Sequence, residues 1–161
     1  MSDGPGRRDE ATDIGVLAGR LLFAVQGELY ARLHRAGFDD IAPRHGAVLA
    51  YLQVGGIRAT ELARLSGQHK QVIGKSVDEL EELGYVERRP DPADRRAKLV
   101  GPTARGRDQM RTADAIMAEI ADRHRQALGA QSYDRFVAEL GAVVDRQRAA
   151  LREAVAGADQ D

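Results

Sequence analysis

The feature that most constrains the fold of this chain is a three-residue turn, Ser66-Gly67-Gln68, between two segments with helical patterning. The first segment covers residues 59–65, and the second covers about residues 69–83. In the second segment apolar residues recur at intervals of three and four, as on the buried face of a helix: Ile73, Val77 and Leu80. Two helices joined by a short turn that contains glycine are typical of a helix-turn-helix.

A predicted hairpin follows the second helix. Residues 85–89 and 97–100 are predicted as short strands, and a polar loop at residues 90–96 separates them and contains two prolines. The loop and the strands that flank it are rich in arginine, so the hairpin has a basic tip. A helix-turn-helix with a basic hairpin beside it is a winged helix, and the hairpin is its wing.

This pattern indicates DNA binding, because an α-helix fits the major groove with its N-terminal side chains at the base edges. The candidate contacts at the start of the second helix are Gln68, His69, Lys70, Gln71 and Lys75. Arg95 and Arg96 are predicted at the turn of the wing, where a guanidinium can enter the narrow minor groove. Asp94 is expected to structure the wing, either by holding the Arg96 side chain or by stiffening the loop. Gly74 costs about 1 kcal/mol relative to alanine in a helix, and we expect it to permit close approach to DNA.

Charge is distributed unevenly along the chain. The net charge is −1, yet residues 57–107 carry eleven Lys and Arg against eight Asp and Glu. A basic middle favours a polyanionic partner. The chain has no cysteine, which excludes disulfides, thiolate metal sites and thiol-based sensing. Its four histidines lack the spacing of metal ligands, and no set of residues indicates catalysis. We therefore expect no metal, no cofactor and no enzymatic activity.

Helices are predicted before the winged helix-turn-helix. Asp13 is expected to cap a long amphipathic helix that ends at Gly37. Pro43 is suited to the first turn of a second helix, which is expected to carry Val48, Leu49 and Leu52 and to end at Gly55-Gly56.

Two more long helices are predicted after the wing. Helical spacing resumes after Thr103 and continues to a break at Gly129, and Ser132 is expected to cap the last helix. Long apolar stripes attached to a small winged helix cannot all be covered within one subunit, so the pattern favours a homodimer.

Residues 62–106 resemble the MarR family of bacterial transcriptional regulators. The resemblance is sharpest in Asp94-x-Arg96 of the wing, in Thr103-x-x-Gly106 after it, and in the sequence GYVERR at residues 84–89. It implies a mainly α fold, in which long N- and C-terminal helices form a dimerisation domain around a winged helix-turn-helix DNA-binding domain. It also implies a repressor that binds a pseudo-palindromic operator as a homodimer and is released by small phenolic or lipophilic ligands.

The expected organisation has a flexible N-terminus at residues 1–12 and a helical dimerisation region at residues 13–37 and 103–156. Residues 38–102 form the DNA-binding region. The N-terminus has no signal peptide, and the longest uncharged run, residues 46–57, is too short to span a membrane. We therefore expect no membrane partner, and a location in the bacterial cytoplasm, associated with the nucleoid.

A ligand site is expected near the junction of these two regions. Its candidate residues, which are equally suited to a plain core, are Phe23, Tyr30, His45 and Met110. Arg20 or Arg44 could pair with a carboxylate or phenolate on an aromatic effector. The alternative function is a winged helix used for protein–protein interaction without sequence-specific DNA binding.

Overall fold

The computed structural model describes residues 13–158, so the predicted flexible segment at residues 1–12 lies outside the described residues. The helices and strands, in chain order, are α1 (Ile14–Arg35), a 3₁₀ turn (Pro43–His45), α2 (Gly46–Leu49), β1 (Ile57–Arg58), α3 (Ala59–Ser66), α4 (Lys70–Glu82), β2 (Val86–Asp91), β3 (Asp94–Pro102), α5 (Ala104–Leu128) and α6 (Ala130–Ala158). The predicted mainly α architecture with a winged helix-turn-helix is confirmed.

Helix α1 begins as predicted. The Asp13 carboxylate accepts hydrogen bonds from the backbone N–H groups of Gly15 at 2.8 Å and Val16 at 3.1 Å, and these are amides that the helix itself leaves unpaired. By length and composition α1 is apolar enough to cross a membrane, with a mean hydropathy of 1.2 over 18 residues. Its C-terminal part is built into the protein core, however, since Tyr30 and Leu33 are buried.

The predicted second helix is much shorter than expected. Instead of extending from Pro43 to the glycines at 55 and 56, it is a 3₁₀ turn followed by the four residues of α2. Local hydrogen bonds explain the tight first turn: the backbone N–H of His45 donates to the carbonyl of Ala42 at 2.9 Å, and the His45 ring accepts the backbone N–H of Ala42 at 3.2 Å. The side chain of His45 therefore satisfies the backbone N–H of Ala42 at the start of the turn.

The sheet has three antiparallel strands in the order β1-β3-β2. Ile57 of β1 pairs with Val100, and Val86 of β2 pairs with Pro102. Strand β1 is too short for its pattern to be recognised in sequence. The predicted loop at residues 90–96 was wrong, since β2 extends to Asp91, β3 begins at Asp94, and the turn contains only residues 92 and 93.

The core of the winged helix forms where α3, α4 and the sheet contribute apolar side chains. The predicted inward face of α4 is confirmed, because Ile73, Val77 and Leu80 have no exposed surface. The other large side chains that are fully buried belong to Leu33, Ile41, His45, Val48, Leu62, Tyr85, Val86 and Val100. One face of α4 is therefore packed against the core, and the opposite face is exposed to solvent.

The break between the last two helices lies at Gly129, as predicted. Ser132 does not cap α6, because the helix already begins at Ala130 and the backbone N–H of Tyr133 donates to the carbonyl of Gly129 at 3.0 Å. Gly129 has a φ of 83°, a left-handed conformation that glycine adopts without strain and that separates the two helices by one residue.

The chain divides into two compact units, one that ends at Met117 and one that begins at Ala118. Each unit exposes large apolar side chains on a long helix: Ile14, Leu17, Leu21, Leu22 and Phe23 in α1, and Phe136, Val137, Val143, Val144, Leu151 and Val155 in α6. Apolar surface of this extent is typical of a face that another chain covers.

Candidate nucleic-acid interface

The turn between α3 and α4 is held by one glycine and one serine. Gly67 adopts a left-handed conformation with a φ of 70°, which ends α3. The Ser66 hydroxyl donates to the carbonyl of Leu62 at 2.7 Å and accepts the backbone N–H of Gln68 at 3.3 Å. Residue His69 then precedes α4 in an extended conformation, and its side chain makes no capping bond. The amides at the start of α4 therefore remain suited to an anion.

The first turns of α4 form an exposed polar surface. All five residues predicted to contact DNA here are exposed and lie together: Gln68, His69, Lys70, Gln71 and Lys75. The first four line an open cleft of about 580 Å³ with Thr60, Ala63 and Arg64 of α3. Thr60 and Arg64 were not predicted to lie here, although their spacing of four residues places them on one face of α3.

The basic residues of the hairpin separate into two groups. Arg88 pairs with Asp78 of α4 at 2.5 Å and also with Glu81, and Arg89 donates to the carbonyl of Gly55 at 2.6 Å. These two arginines hold the wing to the rest of the domain. The second group comprises Arg95, Arg96 and Lys98, whose exposed side chains have no ion-pair or hydrogen-bond partner within residues 13–158.

The tip of the wing is organised by two carboxylates and an arginine from β1. Asp91, which is 7% exposed, accepts the backbone N–H of Ala93 at 2.9 Å and the Nε of Arg58 at 2.7 Å. The Ala93 amide and the Arg58 guanidinium lower the pKa of the Asp91 carboxyl. Asp94 accepts the backbone N–H of Arg96 at 3.1 Å. Of the two roles expected for Asp94, its geometry fits stiffening of the tip, not a bond to the Arg96 side chain.

Arg95 and Arg96 lie in a bulge at the start of β3 and not in the expected long loop. Asp94 pairs across the hairpin with Asp91, whereas the next paired residue of β3, Lys98, lies opposite Pro90. The three residues between them therefore have no partner on β2. The carboxylates of Asp91 and Asp94 shorten the turn by satisfying its amides, and the extra residues protrude from the strand.

The other side of α4 is tied to the 3₁₀ turn. Glu79 accepts hydrogen bonds from the Nε of Arg44 at 2.6 Å and from the Nε2 of His45 at 2.9 Å. These two bonds, Arg44 first, lower the pKa of Glu79 to about 2. Ser76 also donates to the carbonyl of Arg44 at 3.3 Å. His45 is completely buried, and both of its ring nitrogens are occupied, by Glu79 and by Ala42.

A cavity of about 470 Å³ lies between α1, α2 and the first part of α5. It is lined by Val25, Gln26, Leu29, Tyr30, Leu33, Gly46, Leu49, Ala50, Leu52, Gln109, Met110, Ala113, Asp114 and Met117. Of the four predicted ligand residues, only Tyr30 and Met110 line it. Phe23 is 74% exposed on α1, and His45 is turned toward Glu79. The polar lining residues Gln109 and Asp114 were missed, since nothing in their local pattern separates them from the solvated face of a helix.

The Thr103-x-x-Gly106 motif fastens α5 to the end of α4. The Thr103 hydroxyl donates to the carbonyl of Gly84 at 2.6 Å and accepts the backbone N–H of Gly106 at 3.1 Å. A Cβ atom at Gly106 would lie 2.0 Å from the carbonyl oxygen of Tyr85, so only glycine fits. This junction fixes where α5 leaves the sheet, and with it the position of the cavity residues on α5.

Comparison with known proteins agrees with this arrangement. A model of the MarR family matches residues 39–97. The structure is similar to CouR from Rhodococcus jostii RHA1 bound to p-coumaroyl-CoA, with a TM-score of 0.70 and 29% identity over 85% of this chain and 95% of CouR. It is also similar to a MarR-family transcriptional regulator from Rhodococcus sp. RHA1, with a TM-score of 0.68 and 28% identity over 85% of this chain and 96% of the other.

The structure is also similar to that of the transcriptional repressor CouR bound to a 23-mer DNA duplex, with a TM-score of 0.67 and 23% identity over 88% of this chain and 99% of that one. This similarity supports the fold. None of the proteins with curated functions matches the chain.

Proposed function

We propose that this DNA-binding transcriptional regulator, whose residues 39–97 match a model of the MarR family, is a ligand-responsive repressor of a pseudo-palindromic operator. The observation that carries the proposal is the set of exposed cations at the start of α4 and in the wing bulge that have no partner among the described residues. Unpaired cations clustered on one domain favour a polyanion, and DNA offers a regular array of phosphates.

In the proposed complex α4 enters the major groove. Gln71 is the base reader, since a glutamine amide can pair bidentately with adenine, and Lys70 contacts phosphate. Gln68, His69 and Lys75 lie at the same end of α4 and complete the contact surface. Arg95 and Arg96 follow the neighbouring minor groove, and Asp94 keeps their bulge in shape.

We assign operator binding to residues 38–102 and dimerisation to residues 13–37 and 103–156. The apolar side chains exposed on α1 and α6 support this assignment, because a second copy of the chain would cover them. A dimer presents two recognition helices, which two operator half-sites about one helical turn apart, roughly 34–36 Å, require. The protein acts on chromosomal DNA in the bacterial cytoplasm, associated with the nucleoid, and without catalytic turnover.

The proposed effector site is the cavity between α1, α2 and α5. CouR, a structural neighbour, has been solved bound to p-coumaroyl-CoA, which supports an effector with an aromatic group here. The segment of the 3₁₀ turn and α2 connects this cavity with α4, because Leu49 and Leu52 line the cavity while Arg44 and His45 bind Glu79. A ligand that displaces α2 would therefore shift α4. It releases DNA only to the extent that it prefers the conformation that cannot bind DNA.

The decisive test is operator binding by the full chain, measured by fluorescence anisotropy on DNA that flanks its own gene. If each protomer contacts phosphate through Arg96, Arg96→Ala should reduce the slope of log affinity against log salt by about two. Arg111→Ala, which removes an exposed arginine on α5, is the matched control and should leave the slope unchanged. Unchanged binding by Arg96→Ala would refute the role of the wing, and absence of binding to any duplex would favour a protein-interaction module.

A further inference from the structure

The tip of the wing contains two carboxylates that face each other. Asp91, the last residue of β2, is the cross-strand partner of Asp94, the first residue of β3. Side chains paired in this way lie on the same face of a hairpin, and like charges directly opposite each other destabilise it. The tip can therefore keep one shape only if a cation lies close to both acids.

Arg58 of β1 supplies this cation. Its guanidinium lies 2.5 Å from Oδ2 of Asp91 and 3.7 Å from Oδ2 of Asp94, so one side chain neutralises both acids. The strand pairing explains how it reaches them. Leu99 of β3 pairs with both Arg58 and Arg89. Asp91 follows two residues after Arg89, about 7 Å further along β2, which is within the reach of an arginine side chain.

The same two acids hold the backbone of the bulge. Asp91 accepts the backbone N–H of Ala93 at 2.9 Å, and Asp94 accepts that of Arg96 at 3.1 Å. Without Arg58, the side chain of Asp91, which is 9% exposed, would be left as a charge with no cation beside it. Arg58 therefore acts on the conformation of the bulge through the carboxylates.

We infer that Arg58 is a positioning residue for DNA recognition: by neutralising Asp91 and Asp94 it holds the bulge in the shape that places Arg95 and Arg96 in the minor groove. The inference rests on the proposed function, which assigns these two arginines to that groove. A narrow, A·T-rich minor groove attracts a guanidinium, but only one that is held at the right place distinguishes it from a wider groove. Arg58 therefore sets the preference for flanking sequence and contributes little to affinity for other flanks.

The test measures binding of the full-length protein to three duplexes by fluorescence anisotropy. The duplexes share the operator and differ only in their flanking base pairs, which are A·T, G·C or inosine·C. Inosine·C keeps the major-groove acceptors of G·C but lacks the amino group in the minor groove, so it isolates minor-groove recognition. We expect the unmodified protein to prefer A·T and inosine·C flanks over G·C flanks by at least about fivefold, and Arg58→Gln to bind all three within about twofold.

A structural role alone, or a direct contact of Arg58 with phosphate, would weaken binding to the three duplexes by the same factor. Arg58→Gln would then keep the flank preference of the unmodified protein, and the inference would be wrong. Arg125→Gln is the matched control, because it also removes one arginine from an exposed ion pair, with Asp134 at 2.8 Å, outside the winged helix. It should keep the preference unchanged.

A double variant tests whether the carboxylates transmit the effect. In Arg58→Gln combined with Asp91→Asn, the amide oxygen can still accept the backbone N–H of Ala93, and the amide N–H group can donate to Asp94. The opposed charges are gone, so the flank preference should return to within about twofold of the unmodified protein. A double variant that prefers no flank, like Arg58→Gln, would overturn the inference.

The inference and the proposed function can fail separately. If the unmodified protein binds the operator but shows no flank preference, the regulator stands and the role of Arg58 is refuted. If it binds none of the three duplexes, the proposed function fails, and the inference that rests on it fails as well.

Discussion

The two halves of α4 carry opposite charges and differ in what surrounds them. The N-terminal half exposes Lys70 and Lys75, and the C-terminal half carries Asp78, Glu79, Glu81 and Glu82. The first turn has no acidic residue and the last turn has no basic residue. Since the helix dipole favours acids at the N-terminus and bases at the C-terminus by about 0.3–1 kcal/mol per charge, both halves are charged against the dipole.

Within residues 13–158 only the C-terminal half has compensated charges, since three of its four acids are paired. Asp78 and Glu81 pair with Arg88, and Glu79 pairs with Arg44 and His45. The two lysines have no ion-pair partner within residues 13–158. The acids therefore serve to fix the helix to the wing and to the 3₁₀ turn. The lysines lower the stability of α4 and form no ion pair within the described residues. This indicates that they bind a partner outside the chain.

The largest effect is expected from removing the lysines. Lys70→Ala combined with Lys75→Ala deletes four charges from the dimer, so affinity for every DNA sequence should fall on the order of 100-fold. The salt slope should decrease by about 3.6 if all four contact phosphate. Stability should not fall, because the change relieves the unfavourable dipole interaction. Anisotropy titrations at several salt concentrations and urea unfolding measure the two quantities.

The matched control for the lysine variant is Arg111→Ala combined with Arg135→Ala, which removes the same charge from exposed positions on α5 and α6. The control should alter operator affinity far less. If both double variants weaken binding equally, the effect comes from net charge and the contrast between the halves of α4 carries no information about DNA.

The second effect concerns sequence preference. Gln71→Ala should cost about 1–3 kcal/mol at one symmetric pair of operator positions and relax selection there, because a bidentate contact to a base is lost. Lys70→Ala alone should weaken all sequences alike. Selection from a randomised operator library measures both, and an unchanged sequence preference in Gln71→Ala would show that another residue reads the base.

The third effect tests the anchored half of α4 by pH. The pKa of Glu79 is lowered to about 2 in the folded state, so its contribution is complete above the unfolded value of about 4.3 and is lost as pH falls toward 2. Glu79→Gln should therefore lower stability at pH 6, and the difference from the unmodified protein should shrink below about pH 4. Urea unfolding at stepped pH measures it, and a difference that grows on acidification would contradict the assignment.

The smallest effect distinguishes helix propensity from DNA contact. Nothing lies within 4 Å of a Cβ built on Gly74, so Gly74→Ala should raise the free energy of unfolding by about 0.5–1 kcal/mol. If α4 lies in the groove as proposed, the added methyl should also weaken operator binding. Gly141→Ala in α6, which likewise meets nothing within 4 Å, should give the same stabilisation without the loss of binding. Equal DNA affinity of both variants would show that Gly74 does not face DNA.

The sequence by itself determined the local elements of this protein. The turn at Gly67, the inward face of α4 and the cap at Asp13 followed from spacing and residue type, because helix formation and turn geometry depend on residues a few positions apart. The exposed start of α4 was predicted for the same reason, as the face opposite to Ile73, Val77 and Leu80. The family resemblance was carried by the same stretch of chain.

Only the tertiary structure decided which of these side chains are free to act. The arginines of the wing are alike in sequence, yet Arg88 and Arg89 are bound within the fold, whereas the side chains of Arg95 and Arg96 have no partner among residues 13–158. The ion pair of Arg44 with Glu79 joins residues 35 apart, and that of Arg58 with Asp91 joins residues 33 apart. Hydrogen bonds and ion pairs between distant segments depend on how the elements pack, so local periodicity could not reveal the orientation of His45 or the bulge of the wing.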